Sequence, residues 1–167
     1  MSPVIKTLPV DIASLEAEDM NACVTYWNEL RRQRFAPSWK EFDLLGLPPF
    51  MAPFFLVVDV NTAPLDFVYR FWGSGHTSYH GRDYTGQPVT AIELEWAADL
   101  LFDQYRQVYE THQAMAFTTQ YEGIEHPATS VRLPLSDDGQ SVTHIFGYAE
   151  RRHGRIQFEA VFDPTAS

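Results

Sequence analysis

The chain has 167 residues, of which 45% are hydrophobic and 20% are charged, a composition typical of one globular domain. Its formal net charge of −10 argues against a nucleic-acid partner, because phosphate backbones repel an acidic surface. One cysteine, Cys23, excludes an intramolecular disulfide framework. No apolar run approaches the about twenty residues that a membrane span needs. Residues 1–10 show no signal pattern, so a cytoplasmic protein is expected.

The chain is expected to divide into three segments. Residues 1–18 show no clear periodicity and are interpreted as an N-terminal arm. Residues 19–150 carry the regular patterns and are assigned to a single domain. Residues 151–167 are expected to form a C-terminal tail or strand, with the strand placed over residues 156–162.

An amphipathic helix is predicted over residues 19–34, because apolar side chains recur there at intervals of three and four. Its apolar stripe consists of Met20, Cys23, Val24, Trp27 and Leu30. This stripe holds more apolar area than a peripheral helix needs. We therefore expect a homodimer in which Met20, Trp27 and Leu30 take part.

Two strands joined as a β-hairpin are predicted next, over residues 54–60 and 65–72. Both runs are rich in aromatic and β-branched residues, which favours strand over helix. Strict alternation in the second run would place Leu65, Phe67, Tyr69 and Phe71 on one face, which is assigned to the core.

A long helix is predicted to follow the glycine-containing segment 73–88. Thr90 and Glu93 have the spacing of a capping box, which marks the start of a helix. The apolar periodicity continues to about His112. At that length, the helix would span ~30 Å.

The remainder of the chain predicts antiparallel strands. Residues 115–121, 129–135 and 141–149 form apolar runs, mostly alternating, and Asp137-Asp138-Gly139 is a turn signal between the last two. Strands grouped around helices, without βαβ alternation, indicate an α+β fold with helices on one face of the sheet.

Several motifs in this order resemble a small PAS-like family found mainly in alphaproteobacteria. The resemblance covers about residues 20–150. The matching residues are Tyr26-Trp27 with Leu30-Arg31, Arg34 and Pro37; Phe67-x-Tyr69-Arg70-Phe71-x-Gly73; Gly81-Arg82-Asp83-x-Thr85-Gly86; Leu133-Pro134-Leu135 with Asp138-Gly139; and Ile145-Phe146-Gly147.

The resemblance implies a five-stranded antiparallel sheet with helices on one face, in addition to the N-terminal helix. It also implies a sensory or protein-interaction role whose signal passes to a separate partner protein. The chain departs from the family at Trp39, where a basic residue usually follows Pro37-Ser38, and a contact made by that basic group is therefore in doubt.

Candidate ligand-binding residues are the aromatic and imidazole side chains that these patterns place near one pocket. They are Tyr69, Phe71, His76, Tyr79, His80 and His144. His76 and His80, four residues apart with Asp83 nearby, leave a haem or metal site open as an alternative to a pair of hydrogen-bonded histidines. His144 is either a hydrogen-bonded core histidine or a ligand contact.

The remaining charged motifs have structural interpretations. Arg70 and Arg132 lie on the polar side of their strands and are expected on solvated sheet faces. The Arg82-Asp83 pair between glycines is expected to be a salt-bridged turn. No nucleophile elbow, phosphate loop or dinucleotide fingerprint occurs in the sequence.

The expected function is therefore a stand-alone sensory or interaction module that binds a small, mostly apolar molecule. The cofactor is left open. The alternative is a small cone-shaped α+β enzyme of the isomerase or dehydratase type, which would need His144 or His76 within hydrogen-bond reach of a carboxylate.

Overall fold

The computed structural model describes residues 2–149, with the backbone alone described at Tyr79. The elements are, in chain order, β1 (Val4–Val10), α1 (Glu18–Arg31), β2 (Phe55–Thr62), β3 (Leu65–Trp72), α2 (Ser74–His80), α3 (Glu95–Thr111), β4 (Met115–Tyr121), β5 (Ala128–Leu135) and β6 (His144–Ala149). Short 3₁₀ turns lie at Ile12–Ser14, Leu44–Gly46, Pro49–Phe54 and Val89–Ala91. The strand predicted over residues 156–162, and the tail 151–167 as a whole, lie outside the described residues.

The six described strands form one antiparallel sheet in the order β1-β4-β5-β6-β2-β3. The α+β class is confirmed, and the described sheet has six strands where five were expected. Successive side chains of a strand point to opposite faces. Apolar side chains lie on both faces of this sheet, so each face has its own hydrophobic core.

The sixth strand, β1, corrects the prediction of an N-terminal arm. Residues 4–10 pair with β4 at one edge of the sheet, with Thr7 opposite Thr119. Ile5 is 65% exposed and Leu8 is 46% exposed, because an edge strand contributes only part of its side chains to a core. The strand therefore lacks a clean apolar alternation, and periodicity does not reveal it.

The predicted hairpin is present, and β2 and β3 pair in antiparallel fashion. Its register shifts between Tyr69 and Phe71, which leaves Arg70 as the extra residue of a β-bulge. Phe67, Tyr69 and Trp72 consequently belong to one core, whereas Phe71 packs against the other. The prediction that Phe71 shares a face with Tyr69 is therefore wrong, because the bulge interrupts the alternation.

Helices α2 and α3 cover one face of the sheet. Helix α3 buries Ala97, Ala98, Tyr105 and Val108, which pack in the same core as side chains of β2, β3 and β6. It ends at Thr111, close to the predicted end. The long amphipathic helix expected from the sequence is thus the element that encloses this face.

The predicted capping box does not form. Helix α3 begins at Glu95, and Thr90 lies in the preceding 3₁₀ turn. The Thr90 hydroxyl donates a hydrogen bond to Oδ2 of Asp66 at 2.8 Å. Glu93 pairs with Arg82 at 3.2 Å, so both members of the expected box bind groups outside the helix.

Helix α1 covers the opposite face. Met20 and Cys23 are fully buried and Trp27 is 5% exposed, packed in the second core with side chains of β5 and β6. Nε1 of Trp27 donates a hydrogen bond to the Pro134 carbonyl oxygen at 2.7 Å. The expectation of helices on one face holds for α2 and α3, and α1 packs on the other.

The burial of the α1 stripe changes the basis for a homodimer. Met20 and Trp27 are covered by the chain's own sheet, and Leu30 is only partly buried. The apolar stripe of this helix therefore packs against the sheet of the same chain. A homodimer stays a prediction, but Met20 and Trp27 do not offer it a free surface.

Candidate functional site

A cavity of about 70 Å³ lies between the sheet and helices α2 and α3. At ~10–15 Å³ for each water-sized group, it has room for about six such groups. Much of its wall is apolar or aromatic, and a few polar side chains reach it. The lining includes Leu56, Trp72, Trp96, Leu101, Tyr121, Gln104, Thr119, Ser130 and Arg132.

A row of paired residues on four adjacent strands forms the floor of this cavity. Arg132 of β5 pairs with Gly147 of β6. Gly147 also pairs with Leu56 of β2, which pairs with Trp72 of β3. A Cβ atom on Gly147 would overlap Nη1 of Arg132. The guanidinium group therefore extends across β6 in space that only a glycine leaves open.

Arg132 is buried beneath helix α3, which corrects the expectation that it lies on a solvated face. It is 3% exposed. Its Nε donates a hydrogen bond to Oε1 of Gln104 at 3.2 Å, and its Cζ lies 5.0 Å from the ring centroid of Tyr105. The ring face offers the cation some stabilisation, without supplying an opposite charge.

Three buried polar atoms beside the cavity have no hydrogen-bond partner among residues 2–149. They are Nη1 of Arg132 and the hydroxyl oxygens of Tyr69 and Tyr105. The two tyrosine rings lie 6.4 Å apart, centroid to centroid. Burial raises the pKa of Tyr69 well above its usual range, and the neighbouring Tyr105 adds to the effect. The Tyr69 hydroxyl is thus neutral.

Helix α2 is held close to the turn that precedes β2. A Cβ atom on Gly75 would overlap the ring of Phe54, so this approach requires glycine. The contact brings Nε2 of His76 to 3.0 Å from the Phe54 carbonyl oxygen. His76 is 3% exposed and lines the cavity.

His80 also lines the cavity, one turn after His76. Its ring lies 5.2 Å from Trp72 and 6.2 Å from Tyr84, centroid to centroid. The side chain of Tyr79 lies outside the described part of the chain. Of the predicted ligand-binding residues, the structure thus places His76 and His80 at the cavity and Tyr69 beside it.

His144 and Phe71 are not brought to this cavity. Both lie on the face of the sheet that α1 covers, because the bulge turns Phe71 there and His144 shares a face with Phe146. The predicted ligand-binding residues are therefore divided between two faces of one sheet.

His144 contacts two carboxylates on its own face. Its Nε2 lies 3.2 Å from Oδ1 of Asp59 and its Nδ1 lies 3.6 Å from Oδ2 of Asp137. Its ring stacks on Trp39 at 5.8 Å. Asp59 also accepts two hydrogen bonds from the exposed Arg70. Burial lowers the pKa of His144, although both carboxylates act in the opposite direction.

The segment after α2 has the structure of a turn. Arg82 pairs with Glu93, and not with Asp83 as expected. The Asp83 carboxylate accepts hydrogen bonds from the backbone and hydroxyl of Thr85, which lower its pKa. Across residues 2–149, no three His, Cys, Asp or Glu side chains are placed to hold a metal ion.

Two central residues of the site, Arg132 and Gln104, are absent from the predicted set. Both are 3% exposed. The sequence does predict which face of the sheet Arg132 occupies, because side chains alternate along a strand and its neighbours Val131 and Leu133 point to the other face. Helix α3 covers that face. The alternation within one strand cannot predict that a helix packs there.

Comparison of the chain with protein-family models, with curated proteins and with solved structures finds no match. In the described part of the chain, no helix has the length and apolar character to cross a bilayer. The cavity combines apolar walls with the buried guanidinium group of Arg132, whose Nη1 has no hydrogen-bond partner among residues 2–149.

Proposed function

We propose that the chain is a PAS-like sensory or interaction module that binds a small organic molecule and passes the signal to a separate partner protein. The cavity between α3 and the sheet carries this proposal. It is lined mostly by apolar and aromatic side chains, with a few convergent polar groups. That combination is typical of ligand-binding sites.

The arrangement of the elements supports the PAS-like assignment. Strands β2 to β6 form a continuous antiparallel sheet in the order β4-β5-β6-β2-β3. Helices α2 and α3 are inserted between β3 and β4 and pack on one face of that sheet. The resemblance implies a five-stranded sheet of this kind, to which β1 and α1 are additions.

The size of the cavity limits the ligand. Pockets for drug-sized molecules measure about 300–1,000 Å³, whereas this cavity measures about 70 Å³. A compact molecule fits it, and Leu56, Leu101 and Trp72 favour an apolar body. A sugar or a nucleotide exceeds the space.

A filling substitution tests the proposal. Native mass spectrometry of freshly purified protein should show a bound organic molecule in part of the sample. Ala97 is buried on α3 and lines the cavity, so Ala97→Leu should reduce the occupied fraction several-fold. Ala91→Leu makes the same change at an exposed site and is expected to have no effect. Equal occupancy in both variants would place the ligand elsewhere.

The contact between His144 and Asp59 favours a second candidate, the small α+β enzyme. A histidine paired with a carboxylate is the arrangement that such an enzyme would need. However, neither residue lines the cavity, and Asp59 already binds Arg70 through both carboxylate oxygens. These contacts favour a structural role for the pair.

A further inference from the structure

The guanidinium group of Arg132 is a buried positive charge that lacks a counter-charge within the described chain. None of the ion pairs among residues 2–149 includes it. Its contacts there are the amide oxygen of Gln104 and the ring of Tyr105. Arginine stays charged at all ordinary pH values, and a buried charge without a partner costs several kcal/mol.

Four other arginines among residues 2–149 form ion pairs, and they differ from Arg132 in burial. Arg34, Arg70, Arg82 and Arg106 each pair with a carboxylate. All four of these side chains are at least 38% exposed. Of these five guanidinium groups, the most deeply buried is thus the one without a carboxylate partner among residues 2–149.

The position of Arg132 directs its unpaired group to the cavity. Its side chain lines the cavity, and Nη1 lies above Gly147 in the floor between Arg132 and Leu56. Nη1 has no hydrogen-bond partner within the described residues. An anion that enters the cavity would therefore meet a preformed, desolvated donor.

We propose that the ligand is a small organic carboxylate with a short apolar chain, and that its carboxylate pairs with the guanidinium group of Arg132. This inference rests on the proposed ligand-binding function and specifies its ligand class. The carboxylate supplies the missing counter-charge. Leu56, Trp72 and Leu101 contact the apolar chain, and the limited space excludes long acids.

Butyrate and butyramide form a matched pair of probes, because they share size and shape and differ in charge. Isothermal titration calorimetry of the full chain should show that butyrate binds at least about 10-fold more tightly, the ratio expected for one charge-assisted hydrogen bond. Equal affinities would overturn the carboxylate assignment and leave the ligand-binding function standing. If sodium phosphate displaces butyrate at equal concentration, the apolar chain contributes nothing and the proposed ligand class is wrong.

Two variants test whether the preference for butyrate depends on the Arg132 guanidinium group. Arg132→Met should abolish the preference for butyrate over butyramide without lowering the melting temperature of the ligand-free protein, since a buried unpaired charge is replaced by an apolar chain. Gly147→Ala keeps every charge and displaces only the end of the Arg132 side chain. It should weaken butyrate binding at least about 10-fold.

Arg70→Met is the matched control, because it removes an equal charge from the opposite face. It should leave butyrate affinity within about twofold of the unmodified chain, inside the usual scatter for distant sites. Unchanged butyrate binding in folded Gly147→Ala or Arg132→Met would overturn the proposal. If neither probe binds and the freshly purified protein carries no molecule, the proposed ligand-binding function fails as well.

Discussion

Two buried basic side chains, one on each face of the sheet, have opposite surroundings. His144 lies between the carboxylates of Asp59 and Asp137, and it can lose its charge. Arg132 cannot lose its charge, and its contacts within residues 2–149 are the neutral side chains of Gln104 and Tyr105. His144 therefore has compensating carboxylates or can become neutral. The cost of burying the Arg132 charge is not compensated by a carboxylate within residues 2–149.

The lowered pKa of His144 has a consequence for stability. Its ordinary value of 6.5 applies to the unfolded chain, and burial lowers the value in the folded chain. As pH falls below about 6.5, the unfolded state takes up a proton that the folded state refuses, so the free energy of unfolding decreases. His144→Gln should flatten this part of the pH profile, measured by urea denaturation between pH 5 and pH 7 (roughly the range in which histidine titrates).

Gln140→Asn provides the control for this experiment, because it changes an exposed side chain that does not titrate. It should leave the slope of the profile unchanged. A chain that gains stability through His144 as pH falls would show that Asp59 and Asp137 outweigh burial, and the stated direction of the pKa shift would then be wrong.

At the scale of elements, local periodicity predicts most of what the structure contains. The sequences of α1 and α3 have a clear helical period, because each helix buries one stripe. Strands β2 to β5 are instead marked by runs of apolar, aromatic and β-branched residues. The β-bulge at Arg70 is not predictable in this way, since it changes the face of Phe71 without changing the composition. β1 is missed because half of its side chains face water.

The site was harder to predict than the fold, for a physical reason. Alternation assigns Arg132 to one face and Leu133 to the other, and a polar residue on one parity suggests a solvated face. In a sheet covered on both sides, that suggestion fails. Only the packing of α3 over β5 makes Arg132 a buried charge, and this packing connects segments distant in sequence.

The anchoring of α1 is testable at Trp27. Trp27→Phe removes the hydrogen bond to the Pro134 carbonyl and leaves that acceptor buried. The free energy of unfolding should fall by about 1–3 kcal/mol for the unsatisfied group, with a further loss from the smaller ring. Guanidinium denaturation measures the change.

Thr25→Ala is the control, since Thr25 lies on the exposed side of the same helix. It should change stability by no more than about 0.5 kcal/mol. Trp27→Glu should unfold the chain, because it buries a charge without a partner. A folded Trp27→Glu protein that has merely become monomeric would restore this helix as a dimer interface.

At the scale of the whole molecule, one sheet separates two cores. Helix α1 closes one core, and α2 with α3 closes the other. β1 and β3 are the two edges of the described sheet. β1 contributes little apolar burial, as the exposure of Ile5 and Leu8 shows, so its main physical effect is to satisfy the backbone groups of β4.

Removal of residues 2–11 tests this role of β1. The shortened chain should stay folded, because both cores remain, but the free edge of β4 should promote association between copies. Sedimentation velocity should detect larger species that the full chain does not form at the same concentration. A Lys substitution at Thr118, on the newly exposed edge, should suppress them. A monodisperse shortened chain would show that β1 does not protect this edge.

The contact between Arg132 and Gly147 also links the side-chain sizes that the two positions can accept. A side chain at position 147 occupies the space of the guanidinium group, and loss of the guanidinium group removes the reason for a glycine. A substitution at position 147 is therefore tolerated best when position 132 carries a shorter side chain. The two positions are sterically coupled, although fourteen residues lie between them in the chain.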